Sequence, residues 1–205
     1  MNVLISQRVD MLPQRGERRD ALDQAWGATL HELLGRPVLM LPVPNRAQDV
    51  PAIVSTCRPS LIVLSGGNDI GGAPERDATE AALLDSAQQR GVPVLAVCRG
   101  MQMVQHYLGG ALTPVTRHVR CEHSVQAAPG QTLPRLTVNS YHDWGILQFG
   151  LAADLRALYL HEDGTVEAAV HSSRPWLGVM WHPERAGAGM PQANSWVAQW
   201  LKEVL

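Results

Sequence analysis

Cys98 closes a run of strand formers, Val92-Pro93-Val94-Leu95-Ala96-Val97, and is followed at once by Arg99-Gly100 and an amphipathic stretch from Met101 to Leu108. A strand that turns directly into a helix around a nucleophilic residue lifts that side chain above a parallel sheet. The next backbone N–H then lies at the positive helix end, where an oxyanion would form. The same helix end favours the thiolate, the reactive form of cysteine. Taken alone, a cysteine here is more often a buried structural residue. A second strand end supplies the complement, in Leu177-Gly178-Val179-Met180-Trp181-His182-Pro183-Glu184-Arg185. His182 precedes a proline and is pushed towards extended geometry, in which positions i and i+2 share a side, so Glu184 is placed to orient the imidazole. Thiol, base and base-orienting acid are the parts of covalent acyl transfer. Without Cys98, His-Pro-Glu reads as a plain turn at a strand end.

The elements that must carry these groups alternate between strand and helix. Val3-Leu4-Ile5 opens as a strand that ends in Ser6-Gln7-Arg8. Asp20 to Leu34 has helical spacing through Leu22, Ala25, Trp26, Leu30, Leu33 and Leu34, and Gly35 and Pro37 end it. Pro37 to Val43 reads as a strand, Ala47 to Cys57 as a helix, and Leu61 to Leu64 as a buried strand that breaks at Ser65-Gly66-Gly67. Glu75 to Arg90 is helical and leads into the strand that carries Cys98. This alternation predicts a parallel sheet covered on both faces, with right-handed crossovers. Thr113 to Val138 changes character and reads as antiparallel strands or an edge extension. Asn139 to Gly145 reads as a loop or short helix, and Leu155 to Leu160 pairs with Val166 to Val170 as a hairpin. Gln192 to Leu205 closes as an amphipathic helix. No repeat, low-complexity segment or linker divides the chain, so residues 1–205 are expected to form one domain.

Of 205 residues, 45% are hydrophobic and 18% charged, and the formal net charge is -2. That composition fits an ordinary globular core and argues against a polyanion-binding surface, so no nucleic-acid partner is expected. Lys202 is the one lysine among the basic residues. Three cysteines, Cys57, Cys98 and Cys121, are an odd number without scaffold spacing, which favours a reduced, cytoplasmic protein. The opening residues show no charged-then-apolar leader, and no apolar run approaches the roughly 20 residues of a membrane span.

Strand–Cys–Arg–Gly–x–Gln, an upstream Gly-Gly after a strand and a strand-borne His-Pro-Glu, in that order, resemble the class I glutamine amidotransferase superfamily. Ser65-Gly66-Gly67-Asn68-Asp69, Cys98-Arg99-Gly100-Met101-Gln102 and Val138-Asn139-Ser140-Tyr141-His142 narrow the resemblance to the γ-glutamyl hydrolase branch, peptidase family C26. The resemblance implies a flavodoxin-like α/β fold, a mostly parallel sheet with helices on both faces and a small antiparallel extension. It implies Cys98 as nucleophile, His182 as general base and acid, and Glu184 as the residue that orients His182. It also implies an oxyanion hole from the N–H groups of Gly67 and Arg99, and a γ-glutamyl site from Gly66, Gln102, Asn139, Ser140, Tyr141 and His142. No cofactor is implied. Three positions depart from the family pattern: Ala96 stands where glycine is usual, Met180 where glutamine is common, and Asp143-Trp144 where a His-Gln pair is common. These bear on substrate rather than on chemistry.

Ile5-Ser6-Gln7-Arg8, Glu17 to Asp23 and Gly178 to Arg185 further resemble the γ-glutamyl-CDP-amidate hydrolases of capsule phosphoramidate synthesis, which release glutamate and cytidine diphosphoramidate. A pyrophosphate-like group beside the scissile bond calls for planar bidentate donors, which arginine supplies. Arg8 follows the first strand, and Arg15, Arg18 and Arg19 are expected on a loop and helix start nearby. Arg8 and Arg19 are the better candidates, while Arg18 is equally readable as pairing with Glu17, Asp20 or Asp23. Tyr141 and Trp144 could stack on a nucleobase. The alternatives are a γ-glutamyl-γ-aminobutyrate-type hydrolase, a glutaminase subunit that feeds ammonia to a synthetase partner, and an idle binding module. A homodimer is left open. His118, Cys121 and His123 are not read as a metal cluster: zinc ligands come in separated pairs, and an extended chain would face His118 away from the other two.

Overall fold

The computed structural model describes residues 1–205. Strands β1 (Asn2–Ile5), β4 (Leu39–Pro42), β5 (Leu61–Leu64), β6 (Val94–Val97) and β13 (Trp176–Val179) pair in parallel in the order β4-β1-β5-β6-β13. The same sheet continues antiparallel through β12 (Val166–His171), β11 (Leu155–Leu160), β8 (Val119–Ala127) and β9 (Leu136–Tyr141), which makes nine strands. The mostly parallel α/β expectation holds at the core, and the antiparallel extension accounts for four of those nine strands.

Alternation along the central strands sends side chains to two separate cores. Leu61 and Val63 of β5, with Leu95 and Val97 of β6, face Trp26 and Leu30 of α1 (Ala25–Leu34) and Val197 and Leu201 of α5 (Met190–Val204). Ile62, Leu64, Val94 and Ala96 face Val54 of α2 (Val50–Cys57), Leu83 and Leu84 of α3 (Pro74–Arg90), and Met101 and Val104 of α4 (Arg99–Tyr107). Strands buried on both faces read as unbroken apolar runs for this reason. The carboxyl ends of β1, β5, β6 and β13 lie on one rim, where ligands bind in open α/β sheets.

Two expectations change. Asp20 does not start a helix: residues 8–21 form an antiparallel ribbon of β2 (Arg8–Leu12) and β3 (Glu17–Ala21), joined by the short turn Pro13–Arg15. Asp20 instead accepts the backbone and side-chain N–H groups of Asn45 at 2.9 and 2.7 Å, and α1 starts at Ala25. Glu17-Arg18-Arg19-Asp20 carries no apolar period because both faces of the ribbon are largely exposed. Likewise Asn139 to Tyr141 is not a loop but the end of β9. Trp144–Gly145 forms β10, which pairs with β7 (Thr113–Pro114).

A further difference lies in β8. Arg117 and Arg120 have φ of 67° and 55°, and the β8–β9 register shifts between Val119 and Cys121. A bulge of this kind resets which side chains share a face. His118 and His123 therefore meet, ring centroids 4.9 Å apart, while the Cys121 thiol turns away to the Arg117 carbonyl at 3.1 Å. The expected opposition of His118 and His123 does not occur.

Candidate active site

Cys98 sits between β6 and α4 with φ 52° and ψ -108°, a left-hand-side backbone conformation that costs a non-glycine residue energy. The turn is held by its own N–H, which donates to the Val179 carbonyl of the neighbouring strand at 2.7 Å. It also requires Gly100, because a Cβ there would lie 2.2 Å from the Leu64 carbonyl oxygen. The first N–H groups of α4 have no intrahelical acceptor, which leaves the Arg99 amide available beside the sulfur.

His182 lies just beyond β13 and is buried. Its Nδ1 is 2.7 Å from Glu184 Oε1. A Cβ added to Gly66 would stand 2.7 Å from His182 Cε1 and 3.7 Å from Cys98 Cβ, so the imidazole and the cysteine flank the same bare glycine. Burial, the largest influence, favours the neutral ring, yet the neighbouring Cys98 sulfur and the Glu184 carboxylate together carry its pKa up to about 9. Nε2 makes no aligned hydrogen bond, so its coupling to the sulfur in this resting geometry is one of proximity and charge. The turn that carries His182 is clamped by Asn139. The Asn139 side-chain oxygen accepts the His182 N–H at 2.8 Å, and its amide donates to the carbonyls of His182 and Arg185 at 3.0 and 3.1 Å.

Beneath Ser65-Gly66-Gly67 lies a buried network that the sequence reading did not single out. Arg76 donates from Nη2 to the Ser65 carbonyl at 2.6 Å and from Nη1 to the Gly67 carbonyl. Holding the carbonyls on either side fixes the Gly66–Gly67 peptide and with it the direction of the Gly67 N–H. Arg76 Nε donates to Glu80 at 3.0 Å, Ser6 Oγ donates to the same carboxylate at 2.7 Å, and the Arg99 side chain joins Glu80 to Asp77. Burial pulls Arg99 down to about 9 and Arg76 to about 10, with charge from Asp77 opposing in both, so both guanidiniums stay protonated near neutrality. The signal was present as periodicity. Arg76 and Glu80 extend the buried stripe of Leu83, Leu84 and Ala87 at helical spacing, in the place of apolar residues.

The other candidates divide. Arg8 lies against Gly67, its Cδ 3.1 Å from where a Gly67 Cβ would be, and its guanidinium pairs with Asp10. Asn68 locks the β2–β3 ribbon over the site by exchanging hydrogen bonds with the Val9 backbone at 2.8 and 3.0 Å. A cavity of about 110 Å³ is lined by Arg8, Gly66, Gly67, Glu184 and Arg185. Tyr141 packs edge-on to His182 at 5.6 Å, and the Arg185 guanidinium lies over the Tyr141 ring at 4.4 Å. The structure thus gathers Cys98, His182, Glu184, Gly66, Gly67, Tyr141 and Arg8. Other candidates are committed elsewhere. Gln102 donates to the Trp144 carbonyl at 2.8 Å and Ser140 Oγ donates to the His118 carbonyl at 2.7 Å. His142 Nδ1 lies 3.0 Å from the Trp144 carbonyl, and its Nε2 faces Glu167. Arg19 pairs with Glu17 and Arg18 with Glu75 on the exposed ribbon.

The chain is 28% identical to a γ-glutamyl-CDP-amidate hydrolase of Campylobacter jejuni over 191 residues, covering 90% of each chain. It is 31% identical over 161 residues to a γ-glutamyl-γ-aminobutyrate hydrolase of Escherichia coli O157:H7, covering 66% of this chain and 62% of the relative. A solved glutamine amidotransferase of Thermotoga maritima superposes with a TM-score of 0.62 at 17% identity over 99% of this chain and 83% of that one, a likeness of fold. With residues 6–184 matching the family's sequence pattern, the chain belongs to the Peptidase C26 family.

Proposed function

We propose that this chain is, as one domain, a cysteine-dependent hydrolase of a γ-glutamyl C–N bond. The observation that carries the reading is the strained Cys98 turn sharing Gly66 with an imidazole whose far side is held by Glu184. The Cys98 sulfur attacks the γ-carbonyl carbon, and the negative oxygen settles on the N–H groups of Gly67 and Arg99. Each such donor is worth about 3 kcal/mol of barrier. The His182 imidazolium gives its proton to the departing nitrogen, so the C–N bond breaks and a γ-glutamyl thioester remains. Water then loses a proton to His182, attacks the thioester and releases glutamate, and the proton returns to sulfur. Glu184 fixes the ring and stabilises its cationic form, while Asn139 and Arg76 position rather than react.

For the leaving group we favour a nucleotide-linked phosphoramidate, γ-glutamyl-CDP-amidate, over γ-glutamyl-γ-aminobutyrate. Arg8 and Arg185 border the cavity beside Glu184, and two cationic forks there suit a phosphate group better than an aliphatic tail. The 90% coverage of the Campylobacter relative supports the same choice. The test compares kcat/KM for glutamine, γ-glutamyl-γ-aminobutyrate and γ-glutamyl-CDP-amidate. A preference of about 100-fold or more for the last is expected, and equal or inverted preference removes the nucleotide reading. Cys98→Ala should lose at least about 10⁴-fold in kcat without loss of fold; normal turnover in that variant removes the hydrolase reading.

A further inference from the structure

Four buried side chains meet in the antiparallel half of the sheet. His118 precedes β8, His123 lies on it, His142 follows β9, and Glu167 is on β12. All four are at least nine-tenths buried. His118 Nδ1, His123 Nε2, His142 Nε2 and Glu167 Oε2 have no hydrogen-bond partner. None of them belongs to the chemistry at Cys98.

Their tautomers follow from their outer contacts. His118 Nε2 lies 2.7 Å from Asp163 Oδ2, and Asp163 is itself fixed by the Thr165 N–H and hydroxyl at 3.0 and 2.7 Å. A carboxylate only accepts, so His118 carries its proton on Nε2 and points the Nδ1 lone pair inward. His142 Nδ1 lies 3.0 Å from the Trp144 carbonyl, which also only accepts, so Nε2 points a lone pair inward too. Both lone pairs face Glu167 Oε1 at 3.7 Å, while His123 Nε2 faces the other oxygen, Oε2, at 3.5 Å. Acceptors aimed at an anion in a buried pocket repel unless a cation stands between them. A shared proton would draw its two atoms to about 2.8 Å. Two ligands of one tetrahedral zinc, with bonds of about 2.0–2.1 Å, instead lie about 3.3–3.4 Å apart, close to the spacing here.

We infer that His118 Nδ1, His142 Nε2 and Glu167 Oε1, which lie within 4.8 Å of one another, form a structural site for a borderline divalent metal ion, best matched by Zn²⁺, with water as the fourth ligand. Imidazole and carboxylate donors in four-coordinate geometry favour zinc over the hard, oxygen-seeking cations. Asp163 behind His118 and the Trp144 carbonyl behind His142 are the outer partners that orient metal-bound histidines. His161 stacks on His123 at 4.2 Å beside these ligands. The ion would tie β8, β9 and β12 into one unit. Because Gln102 of α4 donates to the same Trp144 carbonyl that receives His142, that unit is joined to the nucleophile helix.

The test uses the full chain, stripped with dipicolinate and titrated with Zn²⁺ or Co²⁺. One equivalent of Zn²⁺ should bind at about micromolar concentration and raise the thermal midpoint. Co²⁺ should give the intense visible absorption of a tetrahedral centre. Asp163→Asn, at a half-exposed position, should weaken binding about 10–100-fold, and His142→Ala should abolish stoichiometric uptake. A folded wild-type chain without stoichiometric uptake overturns the inference, as does a weakly absorbing octahedral Co²⁺ spectrum. Binding that both variants retain at wild-type strength overturns it too. Failure here would leave the hydrolase reading untouched, since that is judged by turnover of Cys98→Ala.

Discussion

Two buried polar clusters flank the middle of this sheet, and they are built on opposite plans. Under the Gly66–Gly67 loop, Arg76, Glu80, Arg99, Asp77 and Ser6 contact one another in a charge-balanced web in which Arg99 Nε is the one unpartnered side-chain atom. Across the sheet, His118, His123, His142 and Glu167 are equally buried but leave ring nitrogens and a carboxylate oxygen without partners. A satisfied web holds backbone in place without help, whereas an unsatisfied one of acceptors requires something else to complete it. The first cluster therefore explains a shape, the Gly67 peptide. The second points to a ligand.

The sharpest way to break this comparison is to remove a member of the satisfied web. Arg76→Met leaves Glu80 with a lost partner in a dry site, and unfolding free energy should fall by about 3–5 kcal/mol in urea titrations. A loss under about 1 kcal/mol would mean that the web holds nothing. Gly66→Ala separates positioning from stability: the new Cβ meets His182 Cε1, not backbone, so the ring must shift. Activity should drop about 100-fold with only a small change in stability, and an unchanged kcat would remove Gly66 from the site.

The pH dependence of stability tests the His182 environment. Its pKa is raised to about 9 in the fold, against about 6.5 in an unfolded chain. The stabilisation from its proton is therefore fully present below about pH 6.5 and disappears as pH rises through about 9. Wild type should lose stability relative to His182→Gln across that window, and parallel curves would contradict the ion-paired site. Smallest of all, Arg19→Ala removes an exposed pair with Glu17 and should change stability by less than about 0.5 kcal/mol. A larger change would show that the ribbon is more than a surface feature.

The elements legible in the sequence were those whose residues obey one period. Leu61–Leu64, Val94–Val97 and the helix that ends at Arg90 fall where their apolar patterns end, because strands buried on both faces and helices with one buried stripe advertise themselves. The ribbon of residues 8–21 did not, since exposed strands carry no apolar alternation. Asn139 looked like a ligand contact by resemblance. Here its amide is spent on the His182 turn, a role set by two residues that are 43 positions apart in sequence.

By itself, the sequence determined the α/β alternation, the Cys98 turn and the pairing of His182 with Glu184, because each depends on neighbours within a few positions. Tertiary structure alone decided that Arg76 and Glu80 serve the Gly67 peptide, and that a bulge at Arg120 turns His118 to meet His123, His142 and Glu167. Burial and a broken register are products of packing between distant strands, and no local period encodes them.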